Sequence, residues 1–474
     1  MNFVFYGLIA LAILFSGLQG APEAEGQVQA GQLVVEAPAG VAPGTEVEVE
    51  GPSGTLRLTV EKVDAGKASL PSQLPDGPVQ VHFPAQHPIA AVGKASLDAA
   101  KSSVELAISL IGAMTLFLGL MKVVEAAGGL DFVARALRPV MVRLFPEVPP
   151  EHPAMGAMIM NLAANVLGLG NAATPFGIKA MQELERLNPH PGTATNAMVL
   201  FLAINTSGVA VLPTGVMVVR ASLKSLDPAA IFVPTLLATF TATVAAVVMA
   251  RLFQPLFPAP AATREVESSP APVAGAWTDW LPTLALFGGL ASLVVVVFQL
   301  RDKASIWILP LLILGMLTVG AVRRVKVYEV FIQGAKDGFE SATRIIPFLV
   351  AILVAVAMFR ASGAMDLVTG SLAGVCALVG MPPEVLPMAL LRSLSGSGAY
   401  AFSTELMKTH GPDSLVGTIA GTMQGSSETT FYVLSVYFGS VGVSKGRHAV
   451  VVGVLSDVIA MLGAVWFVRW VVFS

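Results

Sequence analysis

Cysteine is almost absent from this chain: Cys376 stands alone in 474 residues. One thiol excludes an intramolecular disulfide and, by itself, any thiolate metal site. Charge is scarce as well. Asp, Glu, Lys and Arg make up 12% of the sequence, about half the share of an ordinary soluble domain. A net charge of −3 leaves no basic footprint for nucleic acid. The six histidines (His82, His87, His152, His190, His410 and His448) include no closely spaced metal pair of the HExxH kind. No Gly-rich phosphate loop ending in Gly-Lys-Ser/Thr occurs, which argues against nucleotide-driven pumping by this chain. Without a nucleophile–base or metal arrangement, neither enzymatic activity nor a cofactor is expected.

Apolar sequence is plentiful. Hydrophobic residues account for 54% of the chain and the mean hydropathy is +0.74. Long apolar runs recur from residue 103 to the end, which predicts an all-α polytopic membrane protein with lipid as its surroundings. Apolar helical stretches are expected near 103–124, 194–219, 229–253, 278–299, 304–321, 342–360, 413–440 and 448–472. The pieces 156–170, 172–187, 367–380 and 384–409 fall short of a full span of about 20 residues. They read as re-entrant or broken helices. Residues 1–20 fit either a signal peptide or a first transmembrane helix, and the missing basic n-region favours the helix.

Residues 21–92 differ in kind. Glu46, Glu48 and Glu50 alternate with Val47 and Val49, followed by Gly51-Pro52-Ser53-Gly54, which predicts a hairpin. Val79–Phe83 adds a further strand, and the segment carries nine acids against three basic residues. A small β-rich extracytoplasmic insertion is expected. A Pro/Ala-rich linker at 254–277 then divides the rest into two halves, 95–253 and 278–474.

The halves share an order of features. "EAAGGLD" (Glu125–Asp131) precedes Pro149-Pro150-Glu151, and "RASGAMD" (Arg360–Asp366) precedes Pro382-Pro383-Glu384. Lys122, Arg135, Arg138 and Arg143 crowd the first of these regions, whereas Ala361–Leu391 contains no Lys or Arg. The positive-inside rule then puts the two regions on opposite faces, as an inverted pseudo-repeat requires.

Each half contains a polar break. "NLAANVLGLGNAATP" (Asn161–Pro175) offers Asn161, Asn165 and Asn171; "QGSSETT" (Gln424–Thr430) offers Gln424, Ser427, Glu428 and Thr429. Irregular backbone in a membrane is tolerated only where it is buried in protein or lines a wet cavity. An acid at the centre of a membrane helix costs about 2.5–3.5 kcal/mol on insertion scales, so Glu428 is a candidate for function. These seven residues are expected to line a site for a small polar solute or ion. A structural pairing of Glu428 with Arg392, Lys408 or Arg447 is the plain alternative.

"ELAISLIGAM", "NLAANVLGLGNAATPFGIKAMQEL" and "TATNAM" resemble spore maturation protein A. "RSLSGSGAYAFSTELMKTHGPDS" and "TMQGSSETTFYVLSVYFGSVGVSKGRHA" resemble spore maturation protein B. The likeness covers residues 1–20 and about 95–474, and the chain looks like a fusion of the two. That resemblance implies a multi-pass protein of the plasma (inner) membrane with nucleoside-recognition, or gate, domains, linked to spore maturation and core dehydration. It also implies a retained first helix. Concentrative nucleoside transporters and bacterial ferrous-iron transporters share the domain, although this chain lacks the GTPase domain of the latter. "QGSSETT" is similar to the Gln-Thr-Glu hairpin of the nucleoside transporters, which would place binding at Gln424, Ser427 or Thr429, and Glu428. The implied role is movement or gating of a small polar solute or ion, with membrane lipid and a second copy of the chain as candidate partners; a non-transporting structural or partner-docking envelope protein is the alternative.

Overall fold

The computed structural model describes residues 2–18, 24–28, 34–36, 46–51, 54–60, 62–64, 67–69, 79–83, 88–208, 213–260, 280–300 and 302–473. Most of the 254–277 linker and the Pro52-Ser53 turn lie outside them. The chain divides into two units, one of residues 1–103 with 350–372 and one of 104–349 with 373–474.

The first unit contains helix α1 (Asn2–Leu18), which has no charged residue, and seven short strands. β1 (Ala24–Val28), β7 (Val79–Phe83), β3 (Glu46–Gly51) and β4 (Gly54–Thr59) form one antiparallel sheet in that order. The register pairs Glu46 with Thr59 and Gly51 with Gly54. Period-two alternation sends Val47, Val49 and Val81 inward and leaves Glu46 and Glu48 exposed. β2 (Val34–Glu36), β6 (Lys67–Ser69) and β5 (Lys62–Asp64) form a second, smaller sheet.

Helices build everything else. α2 (Pro88–Ala126) leads through a left-handed Gly128 (φ 82°) into α3 (Gly129–Leu144). Only glycine takes that conformation without strain, which explains the first "GG". α4 (Pro153–Val166), α5 (Gly170–Arg186), α6 (Asn196–Ser207), α7 (Thr214–Ser222) and α8 (Phe232–Phe253) follow. α9 (Leu281–Leu300) and α10 (Asp302–Val322) come next. α11 (Val327–Ala361) leads through left-handed Gly363 (φ 78°) into α12 (Ala364–Leu378), then α13 (Leu386–Leu394), α14 (Gly396–His410), α15 (Leu415–Ser426), α16 (Thr430–Gly439) and α17 (Ala449–Val471).

Among the described residues four helices are long and apolar enough to cross a membrane: Ile89–Ala126, Phe232–Leu256, Val327–Ala361 and Ala449–Val471. Ala364–Leu378 and Pro383–Leu394 meet at 112° and pass the same test as a bent pair. Two of the expected apolar stretches are each divided between two helices. The run 194–219 is α6 and α7 with a gap at Gly208, and 413–440 is α15 and α16 with a gap at Ser427–Thr429. Pro213 stands beside the first break, and the second falls in the polar run Gln424–Thr430.

α6 occupies the centre of the second unit. Every residue from Ala197 to Ser207 is buried, the mark of a helix enclosed on all sides. α8 and α17 pack beside it through small residues, with Ala238, Ala242, Ala246, Ala250, Gly453, Ala460 and Ala464 all buried. A Cβ on Gly463 would lie 3.5 Å from the Ala238 Cα, so the two helices approach closely. Arg220 at the end of α7 is also buried. It donates to Asp413 Oδ1 at 2.9 Å, to the Asp227 carbonyl at 3.0 Å and to the Pro412 carbonyl, which ties α7 to the turn before α15.

Candidate functional site

A helix ends with four carbonyls that have no partner within it. In α6 one of these, the Thr206 carbonyl, accepts a hydrogen bond of 2.8 Å from the backbone N–H of Glu428. The gap after α15 therefore caps the end of α6, and the two broken runs meet. One residue earlier, the Asn205 side chain donates to the Phe201 carbonyl at 2.9 Å and accepts from Asn165 Nδ2 at 3.0 Å. Asn165 sits in the last turn of α4. Three helix ends converge here.

The junction encloses a cavity of about 200 Å³. Asn165, Gly208, Thr214, Tyr400, Gln424, Ser427 and Glu428 line it, with Gly168, Pro213, Gly215, Val216 and Gly425. Glu428 is the one acid in this lining and its side chain is exposed. Glu428 occupies a non-helical gap with access to the cavity. That placement removes most of the desolvation an acid in a helix centre would meet. Gln424 Oε1 and Ser427 Oγ are buried with no hydrogen-bond partner among the described residues. Buried polar atoms normally have one, so two acceptors at the cavity are free for a guest or for water.

The remaining expected residues are placed differently. Thr429 turns away from the cavity, and its Oγ1 accepts from Arg392 Nη1 at 3.1 Å. Asn161 is 0% exposed and donates to the Ala173 carbonyl at 2.7 Å and to the Tyr437 hydroxyl at 3.1 Å. It joins α4, α5 and α16 and does not line the cavity. Asn171 lies in the first turn of α5, and its side chain falls outside the described residues.

Behind the acidic wall lies a polar layer. Arg392 on α13 is 3% exposed and faces the charges of Glu428 and Asp457. Asp457, 0% exposed in the middle of α17, accepts from Thr430 Oγ1 at 2.8 Å. Thr430 begins α16 just past the gap. Of the three cations considered as partners for Glu428, Arg392 is the one that faces it, through Thr429. Arg447 instead donates to Asn196 Oδ1 at 2.8 Å and to the Ala194 carbonyl at 3.2 Å. Sequence reasoning passed over Asp457, although an acid inside the apolar run 448–472 carries the same signal as Glu428.

A family model described as Gate, nucleoside recognition, matches residues 107–222, which end with α7 and include the first gap. Spore maturation protein B of Bacillus subtilis (strain 168) is 44% identical over 167 residues, 35% of this chain and 94% of that protein. Spore maturation protein A of the same organism is 43% identical over 162 residues, 34% of this chain and 83% of that protein. The two similarities cover different parts of the chain.

Proposed function

Because this chain belongs to the family of spore maturation proteins A and B, carrying counterparts of both in one polypeptide, we propose that it binds a small polar solute or ion between its two halves and moves or gates it across the plasma membrane. The observation that carries this reading is the meeting of the two gaps. A wet pocket with one carboxylate and two unpartnered acceptors, set among broken helices, is how secondary transporters present a binding site. Glu428 supplies the charge, Gln424 and Ser427 supply acceptors, and Asn165 holds the α6 end in place. Arg392 and Asp457 set the electrostatic background. Asn161 and Thr429 position the helices around the site.

An inverted pseudo-repeat fits the same reading. The order α2–α8 recurs as α11–α17 with matching left-handed glycines at 128 and 363, and Lys122, Arg135, Arg138 and Arg143 crowd the first region whereas Ala361–Leu391 has no Lys or Arg. That arrangement would put the Arg138 region in the cytoplasm, and residues 21–92 outside as an insertion. By family membership the role would lie in maturation of the spore and dehydration of its core. The reading assigns binding and passage, not catalysis. A non-transporting envelope protein draws support from Asn161, whose Nδ2 donates to the Ala173 carbonyl and the Tyr437 hydroxyl and so ties three helices together.

The test is uptake into proteoliposomes across a panel of nucleosides, amino acids and monovalent and divalent cations. Uptake of one class, lost in Glu428→Gln with the fold intact, is the expected result. No uptake of any class by the wild type would favour the envelope role.

A further inference from the structure

Two arginines at one end of the helix bundle face a second cavity, of about 440 Å³. Arg251 stands in the last turn of the membrane-spanning helix α8, and Arg143 in the last turn of α3. Asn196 and Gln254 add polar groups to the same wall. Neither arginine is spent on a carboxylate among the described residues. Arg251 Nη2 reaches the Leu144 carbonyl at 3.4 Å, a weak contact, and Arg143 lies 4.2 Å over the ring of Trp280. Each guanidinium carries five donors, so most remain available. Glu147 also lines the cavity, but it accepts from Asn196 Nδ2 at 3.2 Å and faces Arg447, so its charge is already matched.

Next to this cavity, sharing Leu144, an apolar cleft of about 310 Å³ runs between α3, α8 and α9. Leu137, Val140, Val244, Val248, Phe287 and Leu290 are among its walls. Thr283 docks α9 onto α3 through a 2.6 Å hydrogen bond to the Ala136 carbonyl, which holds the cleft open beside the pair. Its far end reaches Asn165 and Gly208, two residues that also line the candidate solute cavity. A pocket with two arginines that shares the Leu144 wall with an apolar cleft matches the two parts of a lipid. Trp280 beside it is the kind of residue found at headgroup depth.

We propose that this pair of cavities binds one anionic phospholipid, with its phosphate between Arg143 and Arg251 and an acyl chain in the α3–α8–α9 cleft. Basic pockets between membrane helices recognise such headgroups, and guanidinium groups suit phosphate oxygens by charge and by their paired donors. The chain tip would end against Asn165, so the lipid supports the wall of the solute cavity. The site does not depend on transport.

The experiment is native mass spectrometry of the full chain released from detergent with equal amounts of phosphatidylglycerol and phosphatidylcholine. Wild-type protein is expected to retain phosphatidylglycerol preferentially. Arg251→Gln, an exposed position with one weak protein contact, should reduce that retention roughly tenfold, the effect of one lost charge-assisted hydrogen bond. Leu290→Trp, which fills the cleft, should reduce retention of both lipids. An unchanged thermal midpoint verifies folding in each variant. Equal retention of the two lipids by wild type would overturn the proposal, as would wild-type phosphatidylglycerol retention in either folded variant. Binding of soluble glycerol phosphate as tight as that of the lipid would overturn it too, since the cavity would then be a site for free phosphate.

Discussion

Arg392 is a long cation enclosed in a membrane protein, and its surroundings decide what it does. Removing one member of a buried charged set leaves its partners uncompensated and costs about 3–5 kcal/mol. Arg392→Leu is therefore expected to lower the thermal stability of the purified protein severely. Adding Asp457→Leu in the same chain should restore part of the loss, because Arg392 faces the charge of Asp457. Additive losses in thermal unfolding would show that Arg392 and Asp457 act separately. Glu428 differs from both: it is exposed to the cavity, so Glu428→Gln should leave the unfolding midpoint within the small range of surface changes. Residue identity in the sequence pointed to Glu428 by the cost of an acid in lipid. It could not say that the acid faces water while Asp457, at an equally apolar position, is enclosed.

Helix contacts follow from small residues at helical spacing. Gly334 and Gly338, four apart on α11, press on α2. A Cβ at Gly334 would lie 2.5 Å from the Leu118 carbonyl oxygen, and one at Gly338 would lie 2.7 Å from the Thr115 Cα. Both obstacles are backbone, which cannot rotate aside. Gly334→Val is expected to separate α2 from this part of α11 and to cost about 1–3 kcal/mol, read as a lower unfolding midpoint. A midpoint equal to wild type would mean that the helices adjust freely. Most helices were legible as apolar runs, since length and hydropathy are properties of the chain itself. The gap at Ser427–Thr429 falls in the polar run Gln424–Thr430 that the sequence already marks as a break, whereas the gap at Gly208 was not legible, since 194–219 has the composition of a single span. What joins the two gaps is tertiary: Thr206 gains its missing partner from Glu428, 222 residues away in the sequence, as 428 − 206 gives. For the same reason Asn161 and Asn165, four apart on α4, looked equivalent. One faces Ala173 and Tyr437, the other Asn205 and the cavity.

At the scale of the molecule, one carboxylate-bearing pocket forms where two helix gaps meet, and residues from both sides of the 254–277 linker line it. The short helices that fail a membrane-span test on their own, such as Asn196–Ser207, gain their place by surrounding that pocket. Lipid, by the inference above, would brace its outer wall. The claim on which everything else depends is that the pocket is open to water and solute while the polar residues behind it are not. Thiol reactivity measures this directly in a Cys376→Ala background, where the buried native thiol is removed. Glu428→Cys should react with a small hydrophilic methanethiosulfonate reagent in the folded, membrane-embedded protein, and Asn161→Cys should stay unmodified until the protein is denatured. Equal reactivity at the two positions, or an inert Glu428→Cys, would contradict the account.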